Sequence, residues 1–287
     1  MPSKIGFRLA ISALAFGIAA ASAYAEGAKT VINAATTTYY SPFGFKDPAT
    51  NKLTGFNIDL FDAMATKMGA KVNWIESSFD QLLSSILTKR AEVVIGIADR
   101  PERRKSVNFV DYVWDRSVFF TLRANAASFP NMEALCGKRV AASRVTAWPD
   151  LIVKWSDANC TKAGKPAVAV LGTVSTPDSR LQLNQGRADA AVQGGSALEY
   201  QNALESSPYA IIGNLFASDQ GANEEALLLE QGENQAIGFS KDDPEFGEAL
   251  KKALAAVIAD GTYQKLSRRW NLPHDTAIKR ALINGQP

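Results

Sequence analysis

The chain has 287 residues, with 31 Lys and Arg against 29 Asp and Glu, two cysteines and one histidine. That length builds one large domain or two lobes of ordinary size. The near balance of charge gives no electrostatic reason to bind nucleic acid or an anionic membrane, and two thiols with a late His274 make a poor metal site.

Lys4 and Arg8 form a short basic start, followed by the apolar run LAISALAFGIAAASA. Ala23 and Ala25 are the small residues that a signal peptidase reads, so the sequence predicts a secretory leader cleaved after Ala25 and a periplasmic chain. A membrane anchor fits less well, because the run is short and no stop-transfer charges follow it. No cysteine follows it either, which argues against a lipid anchor. The leader carries two cations and no acid, so the mature chain from Glu26 holds 29 bases and 29 acids.

TVINAAT reads as a first strand, followed by the loop TTYYSPFGFKDPATNKLTG, rich in aromatics and turn formers. FNIDLFDAMATKMG sets Ile58, Phe61, Met64, Ala65 and Met68 on one helical face and stops at Gly69. KVNWI is a second strand, DQLLSSILTKR a second helix, and EVVIGI a wholly apolar strand suited to a parallel sheet. A second series begins after the extended segment SVFFTLRAN. Its strands are KRVAAS, AVAVLG and ADAAVQ, and its helices are AWPDLIVKWSDA, DSRLQLNQG and SALEYQNALES. QAIGFSK then precedes a helix from Pro244 to Asp260 and another through Trp270.

Helices feeding parallel strands form βαβ units, and two such series predict two lobes with a cleft between them. Ligands of open α/β sheets gather at the carboxyl ends of strands, which points to the loops after Ala35, Ile75, Ile97, Ala142, Gly172 and Gln193. Cys136 and Cys160, an even pair in an oxidising compartment, read as a disulfide. Closing a loop of that length adds about 3–4 kcal/mol in the chain-entropy model.

GFNIDLFDAMATKMG, FDQLLSSILTKRAEVVIG, RPERRKSVNFVDY, NQGRADAAV and DGTYQKLSRRW follow in that order over nearly all of the mature chain. Together they resemble the polar-amino-acid type (family 3) of periplasmic solute-binding protein. The resemblance implies a type II α/β fold: two lobes, crossed twice by the chain, closing over one small ligand in the cleft. It also implies delivery to an ABC transporter permease, with no chemistry and no cofactor, by a monomer. Lobe one is expected at roughly 26–121 and 236–287 and lobe two at roughly 122–235. The hinges would lie near VFFTL and just before AIGFS, with both cysteines in lobe two.

Carried over position by position, Arg103 matches the arginine that clamps the ligand's carboxylate. A planar guanidinium suits that role because two parallel hydrogen bonds fix both position and orientation. Arg100, Arg104 and Lys105 read as a solvated charge run. Tyr40 matches an aromatic that packs on the ligand, and Phe79 matches the opposite wall or equally a core residue, while Phe43 reads as core. Thr146 lies where the family has a Gly-Thr pair opening a helix, with Val145 at the glycine position; a plain helix cap explains the threonine as well.

Ala98 stands where Ser or Thr is common, leaving its backbone carbonyl to accept a ligand hydrogen bond. The aspartate that usually receives the ligand's ammonium falls on Gly194, and an early acid found in members that bind cationic side chains falls on Thr37. An ammonium in a closed cleft needs an anion or several acceptors. Either another acid moves in or the ligand lacks the ammonium. Asp99 is the nearest substitute by sequence, although it equally reads as a cap of the turn before Pro101; Gln193, Glu199 and Asp219 are further possibilities. The residues support a small carboxylate-bearing solute and argue against Lys, Arg or His.

Two other functions fit the same scaffold: a dehydratase-like enzyme acting on a small carboxylate, and a sensory binding protein reporting to a membrane receptor. The enzyme needs a placed acid or base in the cleft. His274 is expected on the surface of the C-terminal tail, and nothing pairs Asp99 or Glu199 for the task. A sensory role would require docking in the closed form, since no signalling domain is visible.

Overall fold

The computed structural model describes residues 29–204, 207–215, 234–273 and 276–286. The expected leader with its cleavage after Ala25, Asp219 and His274 lie outside them.

Strand β1 (Val31–Thr36) runs through the interior of the first lobe, with Ile32, Ala34 and Ala35 fully buried. The segment expected as a loop folds into a small antiparallel sheet of β2 (Tyr39–Tyr40), β3 (Gly44–Lys46) and β4 (Leu53–Thr54). Strands this short leave no alternating pattern to read. Helix α1 (Phe56–Lys67) buries the expected Ile58, Phe61, Met64 and Ala65, together with Phe56 and Leu60. Each of the larger side chains among them contributes about 1.5–3 kcal/mol relative to exposure. Then come β5 (Lys71–Glu76), a 3-10 turn at Phe79–Gln81, α2 (Leu82–Leu87) and β6 (Val93–Ile97). Pro101 opens the short α3 (Pro101–Arg104), and β7 (Val107–Trp114) follows.

The chain then enters the second lobe through β8 (Ser117–Leu122) and β9 (Arg139–Ser143). Helix α4 (Trp148–Asn159), β10 (Ala169–Thr173), α5 (Thr176–Asn184), β11 (Ala190–Gly194), α6 (Gly195–Leu204) and β12 (Tyr209–Asn214) complete it. The return brings β13 (Asn234–Ser240), α7 (Pro244–Ala259), α8 (Thr262–Arg269) and β14 (Ala277–Ile283) to the first lobe.

The first sheet has the order β14-β7-β13-β6-β1-β5 and the second β10-β9-β11-β8-β12. The β5-β1-β6 group is parallel, as expected, and so is β10-β9-β11. The remaining strands pair antiparallel, including β14, which occupies the edge against β7 where a surface tail was expected. Two boundaries shift. Trp114 ends a strand of the first sheet and Ser117 begins one of the second, so the first crossing is Asp115–Arg116 and not residue 121. VFFTL is a buried strand of the second lobe, not a hinge. The return crossing ends before Asn234, slightly ahead of the expected residue 236.

Apolar side chains cover both faces of each sheet. In the first lobe one face packs on α1, α7 and α8 and the other on α2. In the second lobe the disulfide Cys136–Cys160, with Cα atoms 5.5 Å apart, ties the end of α4 to the turn before β9. Cys160 is fully buried in that lobe's core.

Candidate ligand-binding site

Strand ends from both lobes converge on one cavity of about 90 Å³, room for several waters or one small solute. The first lobe contributes Tyr40, Phe79, Gly96, Ala98 and Arg103, and the second Ser143, Thr146, Trp148 and Gly194. The first crossing contributes Asp115, and the start of β13 contributes Asn234 and Gln235. Of the residues expected at the site, Arg103, Tyr40, Phe79, Ala98, Thr146 and Gly194 all line this cavity. Asp99 does not.

Arg103 reaches in from α3. Its Nη1 donates to the carbonyl of Ala98 at 2.9 Å, and its guanidinium lies 5.6 Å from the Phe79 ring centroid. The Ala98 carbonyl, expected to face a ligand, is thus already engaged in orienting Arg103. Burial, and then the nearby Arg100, push the Arg103 pKa down to about 10, so the group stays cationic at neutral pH. Among the described residues no carboxylate forms an ion pair with it.

Asp99 is buried and faces the other way. Its carboxylate takes a bidentate grip from Arg104, at 2.6 and 2.8 Å, and its N–H donates to Asn234 Oδ1 at 3.1 Å. Two expectations are thereby corrected: Asp99 turns onto Arg104 and away from the cavity, and Arg104 is an ion-pair partner and not a solvated charge. Arg100 also departs from that expectation, since it lines the cavity, while Lys105 is exposed.

The Tyr40 ring stacks on Phe43 at 5.8 Å, and Phe43 is fully buried as core. The Tyr40 hydroxyl accepts from the Gly194 N–H at 3.2 Å, a hydrogen bond between the lobes. The Thr146 hydroxyl donates to the Ser143 carbonyl at 2.7 Å and accepts from the Trp148 N–H at 3.2 Å, bracing the turn that leads into α4, whose N-cap is Ala147. Gln193 is fully buried with its Oε1 held by Arg180 at 2.9 Å. Thr37 lines the cavity where an early acid was absent.

The residue that sequence reasoning missed is Asp115. It is buried, with Oδ1 accepting from the Ser196 N–H at 3.0 Å and Oδ2 from Gln235 Nε2 at 3.1 Å. Burial pushes its pKa up to about 6; hydrogen bonds from Ser196 and Gln235 restrain the rise, and Glu199 adds to it. Behind it, Tyr112 Oη lies 3.2 Å from Gln235 Oε1 and 2.6 Å from Asn57 Oδ1. Gly96 permits that packing: its φ is +91°, and a Cβ there would sit 2.8 Å from Asn57 Nδ2. A signal existed in VNFVDYVWDRSVFF, where two acids stand in a mostly apolar run, but nothing local says where they point.

The family model of bacterial extracellular solute-binding proteins, family 3, matches residues 32–273. The chain belongs to this family. Its fold is accordingly the two-lobe type II arrangement. It is similar to the lysine/arginine/ornithine-binding periplasmic protein of Escherichia coli (strain K12), at 29% identity over 91% of this chain and 95% of that one. It is similar also to the L-cystine-binding protein TcyA of Bacillus subtilis (strain 168), at 27% identity over 84% and 81%. Among solved structures, an ancestral arginine-binding protein bound to arginine superposes with a TM-score of 0.68 at 29% identity, over 84% of this chain and 98% of that one. All three are named as binding proteins.

Proposed function

We propose that the protein is the solute-binding component of an ABC importer, exported with its leader removed after Ala25. It captures an amino acid or a related small carboxylate by closing its lobes, and delivers that solute unchanged to a permease as a monomer. The observation that carries this reading is Arg103, a partly buried guanidinium that lines the inter-lobe cavity without a carboxylate partner among the described residues. A cation held away from water is stabilised by an anion, and a guanidinium takes a carboxylate through two parallel hydrogen bonds. Relatives named for lysine, arginine, ornithine and cystine support an amino acid as cargo. The Tyr40–Gly194 hydrogen bond supports a cleft that shuts by contact between the lobes.

Calorimetric titration of the mature protein against free amino acids and simple carboxylates tests the reading. Arg103→Ala is expected to cost about 3–5 kcal/mol, or two to three and a half decades of affinity. Affinity unchanged by that substitution would sink the assignment. Recovery of the bound solute intact after long incubation, followed by NMR, separates capture from catalysis.

A further inference from the structure

Arg103 and Asp115 line the same cavity, one partly buried cation and one buried anion. Neither forms an ion pair among the described residues. A solute carrying both an anion and a cation satisfies both groups at once.

The position of Asp115 strengthens the case. A Cβ built on Gly194 would lie 2.2 Å from Asp115 Oδ2 and 2.4 Å from Tyr40 Oη. Any side chain at 194 would therefore displace the Asp115 carboxylate from the cavity wall. We propose that Asp115 receives the ligand's ammonium in the space that Gly194 leaves open, so that the protein captures zwitterionic amino acids whose side chains carry no positive charge. This rests on the solute-binding reading above and specifies its substrate class.

The carboxylate is held in place for the task. Its oxygens each accept one protein hydrogen bond, from Ser196 on α6 and from Gln235 on β13. An ionised carboxylate has about four lone-pair sites, so acceptor capacity remains for an ammonium. The groups facing it are Glu199 from α6, Tyr40 from β2 and Tyr112 from β7, none of them cationic. Among the described residues that line the cavity Asp115 is the one acid, whereas Arg100 and Arg103 are both cations. Once the ammonium occupies Asp115, a second positive charge on the solute meets two guanidinium groups and the hydroxyls of Ser143, Ser175 and Thr176. That balance differs from what lysine or arginine requires.

The test is calorimetry on the mature wild-type protein with matched probes. L-alanine, L-leucine, L-glutamine and L-glutamate are each compared with the same acid lacking the amine, and L-lysine and L-arginine are run beside them. At least one amino acid without a cationic side chain is expected to bind about 100-fold or more tightly than its deaminated partner. Asp115→Asn should remove most of that preference while leaving carboxylate binding in place, and wild-type affinity should fall as pH is lowered from 7.5 to 5. A deaminated acid bound as tightly as its parent overturns the proposal, as does tightest binding of lysine or arginine. The ligand comparison needs no variant, so a misfolded Asp115→Asn leaves it decisive. If no amino acid and no carboxylate binds, the solute-binding reading itself fails.

Discussion

Asp115 works against the stability of the ligand-free protein. Its folded pKa of about 6 lies above the ordinary 3.8, so its stabilising contribution is complete below 3.8 and lost as pH rises through 6. Above pH 6 the folded state is then less stable, by on the order of 3 kcal/mol, than it is with the group protonated below pH 3.8. Asp115→Asn is expected to raise the melting temperature of the ligand-free protein at pH 7.5 and to raise it much less at pH 4.5, while weakening amino-acid binding. Tyr112 Oη is placed to tolerate the change, because it lies near Gln235 Oε1 and already meets Asn57 Oδ1, so the Gln235 amide can turn. Equal melting shifts at the two pH values in scanning calorimetry would contradict this account. The arrangement exchanges stability of the empty protein for a fixed anion at the site.

Helix α3 spans Pro101–Arg104, a single turn that has no stability of its own, yet it presents Arg103. What holds it is the Asp99–Arg104 pair, with the Asp99 side chain fully buried and that of Arg104 29% exposed. Arg104→Ala leaves a buried carboxylate unpaired, so a loss of about 3–5 kcal/mol is expected in urea denaturation, together with weaker ligand binding through a displaced Arg103. A variant of full stability would remove Asp99–Arg104 as the anchor. Next to this pair lies Asp111 on β7, whose pKa is pushed well above the carboxylate range by burial and then by the charge of Asp99. A raised folded pKa means stability present at low pH and lost as pH rises through it. Raising the pH should therefore destabilise the wild type more than Asp111→Asn, which keeps an oxygen for Asn234 Nδ2. Identical pH profiles of the two proteins would refute the assignment.

The two lobes meet largely through polar groups; the apolar contact across them is Tyr200 of α6, whose ring lies 6.5 Å from Trp270 in the first lobe's cluster, while the second lobe keeps its own core. Asn57, Tyr112, Gln235, Asp115 and the N-terminus of α6 form a buried chain from the first lobe through the first crossing into the second. Such directional contacts can be exchanged for ligand contacts when the lobes move, whereas a shared apolar core would resist separation. The disulfide lies within the second lobe alone. Replacing Cys136 and Cys160 by serine is expected to lower stability by about 3–4 kcal/mol in the chain-entropy model and to leave ligand affinity within about twofold. A large change in affinity would mean that the bridge restrains closure.

The sequence by itself determined the α/β alternation, the buried face of α1 and the disulfide pairing, and it pointed to Arg103 and Tyr40, which both line the cavity. Each of these depends on local periodicity, on cysteine count or on a motif whose residues are close together in the chain. The sheet edges were not legible. VNFVDYVW is buried on both faces yet carries Asn108 and Asp111, so β7 shows no simple apolar period, and β14 exposes Lys279 and Arg280 at an edge. Nor was the acid of the site legible. Asp99 and Asp115 look alike as sequence; register and crossing geometry turned the first onto Arg104 and brought the second beside Gly194. Contacts between residues so distant along the chain are set by how the strands pair and where the lobes join, and only the tertiary structure decides that.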